Sequence, residues 1–305
     1  QPSELAKLAI VFYIARLCAG KPKLMKDFWA GPFPPLCAVL LLAVLTAREP
    51  DLGTALVLFF TGLATLAFAG MKLRHVAGVL VAIAFVLAVS LMASDLRHHG
   101  ASYQLSRVTV FLHPERDRQG DGYQIYHSTI ALGSGGLLGM GIGEGREKSY
   151  LPEAHTDFIF AVLGEEGGFV TAISVLLLYA LLVGRGLQIA YKTKDPFGAL
   201  LAAGISAWIG IQSLINVGVV TASIPATGVP LPQMSYGGSS SVLTLIAMGI
   251  LLNIARFPEG DPSKKEDRRL EYQAREFDRR WDRHTAPIRS KTAQRTSSRK
   301  PVTTR

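Results

Sequence analysis

A chain of 305 residues that is 49% apolar, with a mean hydropathy of +0.28, has several apolar runs near the ~20 residues that cross a bilayer, which excludes a soluble domain with one core. Its net charge of +9 is lopsided: residues 256–305 hold fifteen Lys/Arg against eight Asp/Glu, or +7, and everything before them only +2. Such a basic end suits anionic lipid headgroups or topology anchoring and not nucleic acid, and two cysteines in apolar runs, Cys18 and Cys37, suit neither a disulfide framework nor a metal site.

In chain order, the pattern predicts an all-α polytopic membrane protein with seven spans, at about 3–19, 33–47, 52–70, 75–93, 157–184, 197–222 and 238–255. The chain opens at Gln1 with neither an initiator methionine nor a basic signal-peptide region, so this reading expects a missing N-terminus. Between the fourth and fifth spans lies a polar loop, 94–156, whose length marks it as functional. The short connections alternate in charge. Lys21, Lys23 and Lys26 follow the first span, Lys72 and Arg74 the third, Arg185, Lys192 and Lys194 the fifth, and the basic end follows the seventh. The others carry Arg48 alone or, across 223–237, no basic residue. By the positive-inside rule the 94–156 loop and the Asp157 end face outside. Residues 1–256 then form the membrane domain and 257–305 a cytoplasmic tail, with a surface helix over 264–283 and a disordered end.

Ionisable groups near mid-span cost roughly 2.5–3.5 kcal/mol each on insertion, so each asks for a purpose. In "QPSELAK", Glu4 and Lys7 share one helix face as a local ion pair or as the lining of a polar cavity. In "REPDLGTAL", Arg48 stands beside Glu49 and Asp51 at another outer end, as an interface anchor or a phosphate ligand. The glycines of "GSGGLLGMGIGEG" match neither dinucleotide nor P-loop spacing and read as a tight re-entrant turn, with no nucleotide. "LPEAHTDFIFAVLGEE" is the densest stretch. Asp157 after Thr156 suits a helix N-cap, and equally a general base whose pKa partial burial lifts, with Glu153, His155, Arg146 and Lys148 close in sequence. Glu165 and Glu166 lie two turns further, about 12–14 Å deeper along a helix, as structural partners of cations in the bundle or as a polar pathway. "IPATGVPLPQMSYGGSS" is a Pro/Gly-broken outer segment of the kind tolerated where backbone lines a cavity. Together these predict one outward-facing polar site at headgroup level, suited to a substrate with a phosphate head and a lipid tail.

Four stretches in order, "QPSELAK", "EPDLGTAL", "GYQIYHSTIALGSGGLLGMG…LPEAHTDFIFAVLGEE" and "GVPLPQMSYGGSS", resemble the FtsW/RodA/SpoVE family of shape, elongation, division and sporulation proteins, from Gln1 to about Arg256. The resemblance implies a ten-helix fold of which the first three spans are absent here, in a chain expected to be inactive without them. It implies a bacterial cytoplasmic-membrane enzyme that polymerises lipid II into glycan strands at the outer face. Asp157 falls on the family's essential aspartate, and Glu4 and Lys7 on its polar cavity pair. Arg48, Arg107 and Lys148 are candidate pyrophosphate ligands, and His155 and Ser235 further substrate contacts. A divalent cation, Mg or Mn, and a class B penicillin-binding transpeptidase are the implied cofactor and partner. Glu49, His113 and His127 depart from the usual residues. "LPEAHTDFIFAVLGEE" with "SYGGSS" leans toward the division-type FtsW, "FLHPERD" and "GVPLP" toward the elongation-type RodA, and the first is favoured. A lipid II flippase, using Glu165, Glu166 and Lys7 as its pathway, and a non-catalytic divisome scaffold are the rival readings.

Overall fold

A computed structural model describes residues 1–21, 24–49, 51–95, 122–151 and 153–258, without the side chains of 86–95. Every predicted span falls on a helix: α1 (Pro2–Cys18), α2 (Phe33–Arg48), α3 (Leu52–Phe68), α4 (Leu73–Asp95), α6 (Ile159–Lys192), α7 (Pro196–Val220) and α8 (Gly238–Arg256). An eighth, α5 (Tyr123–Ser134), and a 3₁₀ turn at Glu147–Ser149 lie inside the stretch expected to be loop. Among the described residues there is no strand. Residues 96–121 of the predicted loop, and the tail beyond 258, lie outside the described residues.

Local chemistry sets the helix ends. Proline at the first positions of α1, α2 and α7 has no N–H to leave unpaired there. Asp51 caps α3, its Oδ1 accepting from Thr54 N at 2.9 Å, and Asp195 caps α7, its Oδ2 accepting from Gly198 N at 2.9 Å. By length and composition α6, α7 and α8 are apolar enough to cross a membrane, while α2, α3 and the 73–85 part of α4 are shorter apolar helices. The protein is a multi-pass helical membrane protein.

α7 is the central helix. It packs on α1, α3, α6 and α8, and Leu201, Ile205, Trp208 and Ile209 enter one core with Ile10, Val11 and Ile14 of α1 and Leu58 and Leu66 of α3. Close approach needs small residues here: a Cβ on Gly204 would come within 2.5 Å of Val11. A second core gathers Phe158, Phe160, Ala161 and Val162 with Ala172 and Val175 of α6, Val219 and Val220 of α7, and Leu231.

The expected span 157–184 is corrected in two ways. The helix begins at Ile159, with Phe158 at its cap, and extends to Lys192. It is also broken at Gly168, whose φ of 70° and ψ of −171° no helix contains. The residue must be glycine: besides that φ, a Cβ would sit 2.3 Å from Gly139 N and 2.6 Å from Leu137 O.

Candidate active site

Asp157 sits in the turn 153–158 that enters α6. It does not cap the helix, whose N-terminus makes no side-chain cap hydrogen bond. The turn is held from two sides instead. Asn216 of α7, buried, donates from Nδ2 to Asp157 O at 2.7 Å and to Val229 O at 2.8 Å. Ser235 donates its hydroxyl to Thr156 O at 2.6 Å, and Tyr236 N donates to His155 O at 2.9 Å. Glu153 completes the turn in a left-handed conformation, φ 56°, with Thr156 N donating to its carbonyl at 3.1 Å. The irregular segment 224–237 is thus strapped to the acid-bearing turn, and Gly228 lies against the carboxylate, its Cβ position 3.5 Å from Asp157 Oδ2.

This half-buried carboxyl is pushed up to about 6, first by burial and then by the negative charges of Glu153 and Asp51. Asp51 belongs to the site by that effect, and its Oδ2 also accepts from Gln1 Nε2 at 3.1 Å. On α1, Lys7 Nζ lies 2.7 Å from Glu4 Oε1 and donates to Gln212 Oε1 at 3.0 Å. Trp208 Nε1 donates to the same oxygen at 2.8 Å, and Gln212 Nε2 donates to Pro230 O at 2.9 Å. Glu4 and Lys7 are 2% and 1% exposed. The local ion pair of the sequence reading is formed, and it reaches the 224–237 segment through Gln212.

The two glutamates of α6 divide: Glu166 has the cation partner that was expected and Glu165 does not. Glu165, fully buried, pairs with no cation among the described residues: its Oε1 accepts from Arg146 N at 2.7 Å and Glu147 N at 3.1 Å. Glu166 is held by Lys148 Nζ at 2.9 Å, which also donates to Gly143 O at 2.6 Å. Both carboxylates are level with the 135–148 loop, because the break at Gly168 separates them from the long membrane run of α6. His127 Nδ1 lies 2.5 Å from Glu147 Oε2, which ties α5 to the same turn.

Of the candidate substrate contacts, Arg48, at the end of α2, and His155 are exposed, and Ser235 is buried. Lys148 is committed to Glu166, and Arg107 lies outside the described residues. Sequence reasoning passed over Trp208, Gln212 and Asn216. The signal was present: they recur at i, i+4 and i+8, one stripe of a helix in an apolar span, where polar groups must face protein. Among the described residues no three His, Cys, Asp or Glu stand together to hold a metal ion.

This fold and this acid define a class, a polytopic membrane protein with a raised carboxyl in a strapped turn at one end of its central helix. The chain belongs to the FtsW/RodA/SpoVE family of cell cycle proteins, whose profile it matches over residues 1–259. It is 43% identical over 258 residues to stage V sporulation protein E of Bacillus subtilis (strain 168), covering 84% of this chain and 69% of that one. It is 40% identical over 263 residues to the probable peptidoglycan glycosyltransferase FtsW of Geobacter metallireducens, covering 86% and 68%. Among solved structures, one on the coordination of polymerization and crosslinking by a peptidoglycan synthase complex matches with a TM-score of 0.71 at 31% identity, over 86% of this chain and 71% of that one. The crystal structure of Thermus thermophilus rod shape determining protein RodA matches with a TM-score of 0.57 at 29% identity, over 86% and 67%.

Proposed function

We propose that this protein is a peptidoglycan glycosyltransferase that polymerises lipid II at the outer face of the bacterial cytoplasmic membrane, with Asp157 as its general base. The observation that carries the reading is the Asp157 carboxyl itself. Raised to about 6, it is ionised near neutral pH yet basic enough to accept a proton from a sugar hydroxyl. The acceptor's 4-hydroxyl gives its proton to Asp157 while its oxygen attacks the anomeric carbon of the donor sugar. The new C–O bond forms with inversion as the bond to undecaprenyl pyrophosphate breaks. The straps from Asn216 and Ser235 hold the base in place, so that orientation is supplied in advance.

The leaving pyrophosphate needs positive charge. Arg48 is exposed near Asp51 in sequence and is the described cation we assign to it. A magnesium or manganese ion binds through one or two carboxylates together with substrate phosphates. Asp51, whose negative charge reaches the site, would be the carboxylate that holds such an ion together with the substrate phosphates, leaving Asp157 free as the base, and the ion would supply charge neutralisation of the leaving group. The FtsW relatives support the FtsW side of the family, and the first of them is named as a peptidoglycan glycosyltransferase. The synthase-complex neighbour supports a crosslinking transpeptidase as partner. The flippase reading has less support: Glu165, Glu166 and Lys7, its required path, are each held by protein groups.

Purified full-length protein in vesicles with lipid II tests this. Asp157→Asn is expected to abolish glycan polymer, and undiminished product removes the assignment. Transbilayer movement of lipid II by the same vesicles, without polymer, returns the flippase.

A further inference from the structure

Residues 135–142 and the break in α6 satisfy one another's backbone. Met140 N donates to Glu165 O at 3.0 Å and Gly141 N to Glu166 O at 3.0 Å, while Phe169 N donates to Gly136 O at 2.9 Å and Val170 N to Leu137 O at 3.2 Å. These are the groups a broken helix orphans, the last carbonyls of one half and the first amides of the next. With them paired, irregular backbone can sit at membrane depth.

The level of this knot follows from α6. Between Glu165–Glu166 and Arg185 lies the run Phe169–Gly184 without a charge, about 24 Å at 1.5 Å per residue, against ~30 Å for the hydrocarbon of a bilayer. The break, and the loop bonded to it, therefore stand at one boundary of the hydrocarbon. The loop tip is apolar and uncovered: Leu137, Leu138 and Ile142 are 72%, 83% and 96% exposed. Phe169 and Val170, bonded to it, are exposed too, and open an exposed stripe through Leu177, Leu178 and Leu181 of α6. After the tip come exposed Glu144, Arg146 and Tyr150, the polar and aromatic rim that a headgroup layer favours.

We propose that Leu137, Leu138 and Ile142 form a lipid-binding anchor, inserted among phospholipid acyl chains at the membrane boundary and continuous with the lipid-facing stripe of α6. The occupant is bulk phospholipid, since the stripe it continues faces the bilayer. The anchor holds the level of the break, which the first half of α6 joins to Asp157. It rests on membrane insertion alone and not on the chemistry of Asp157.

The test uses the full chain with exposed Cys37 replaced by alanine, buried Cys18 retained, and a bimane label on Leu138→Cys, in phospholipid vesicles. Quenching by phospholipids brominated high on the acyl chain is expected, with aqueous iodide quenching roughly tenfold weaker than for the same label on Glu153→Cys, as a position below the headgroups requires. Iodide quenching equal to that at Glu153 overturns the anchor. So does shielding from both quenchers, which means a protein cover, or quenching that appears only with a brominated polyprenyl phosphate. Ile142→Cys repeats the measurement should the first variant not fold. Gly139→Ala, whose Cβ would lie 2.1 Å from Glu166 O, is expected to raise iodide quenching at Leu138.

Discussion

The Asp157 carboxyl holds its proton more tightly than a free aspartate because burial and the charges of Glu153 and Asp51 all oppose ionisation. Two outcomes follow, with the sign set by that direction. As a base it works ionised, so polymerisation is expected to rise with pH through about 6 and level off above it; a rate–pH profile on lipid II checks this. As a buried acid with a raised folded-state pKa, it costs the fold stability as pH rises through the window from 3.8 to about 6. Asp157→Asn is therefore expected to melt at the same temperature as the parent or above it at neutral pH, while losing activity. A lower Tm would mean that the aspartate is structural. Asn216 is the positioning residue behind it. Asn216→Ala leaves the carbonyls of Asp157 and Val229 without their donor, a cost of about 1–3 kcal/mol for a buried group. It is expected to lower kcat with little change in KM.

At the level of helices and loops, α1 and α7 are joined by a buried charge. Removing one member of such a pair costs about 3–5 kcal/mol, since the other charge is left alone, whereas replacing both by apolar groups costs far less. Lys7→Met is expected to lower the Tm markedly and Glu4→Leu/Lys7→Met to recover most of the loss, which a double-mutant cycle in detergent measures. The pair was legible in "QPSELAK" because three residues on a helix bring side chains together. Its third member, Gln212, was not, being 205 residues from Lys7. The long connection shows the same division. Its glycines announced a tight turn, but that the turn pairs with a break in the next helix depends on Gly168, and one glycine in an apolar run has no unique reading.

Among the described residues, hydropathy found each predicted span as a helix, though it ended α6 eight residues before Lys192, because crossing hydrocarbon demands a continuous apolar run and that demand is written locally. Charge alternation in the short connections proposed an orientation, and four motifs carried the family. The site was legible only in its parts. Asp157, Glu4 and Lys7 stood out as charges where charge is costly, and the same reasoning asked for cation partners for Glu165 and Glu166, which Lys148 supplies to Glu166 and backbone amides replace for Glu165. Which groups surround Asp157 was a matter for packing. Asp51, Asn216, Gly228 and Ser235 meet it from α3, α7 and the 224–237 segment, and no rule of spacing connects residues that far apart. The charge of Glu153 was in view four residues away, but the burial that leads the shift and the charge of Asp51 come into being only when separate helices close on one turn.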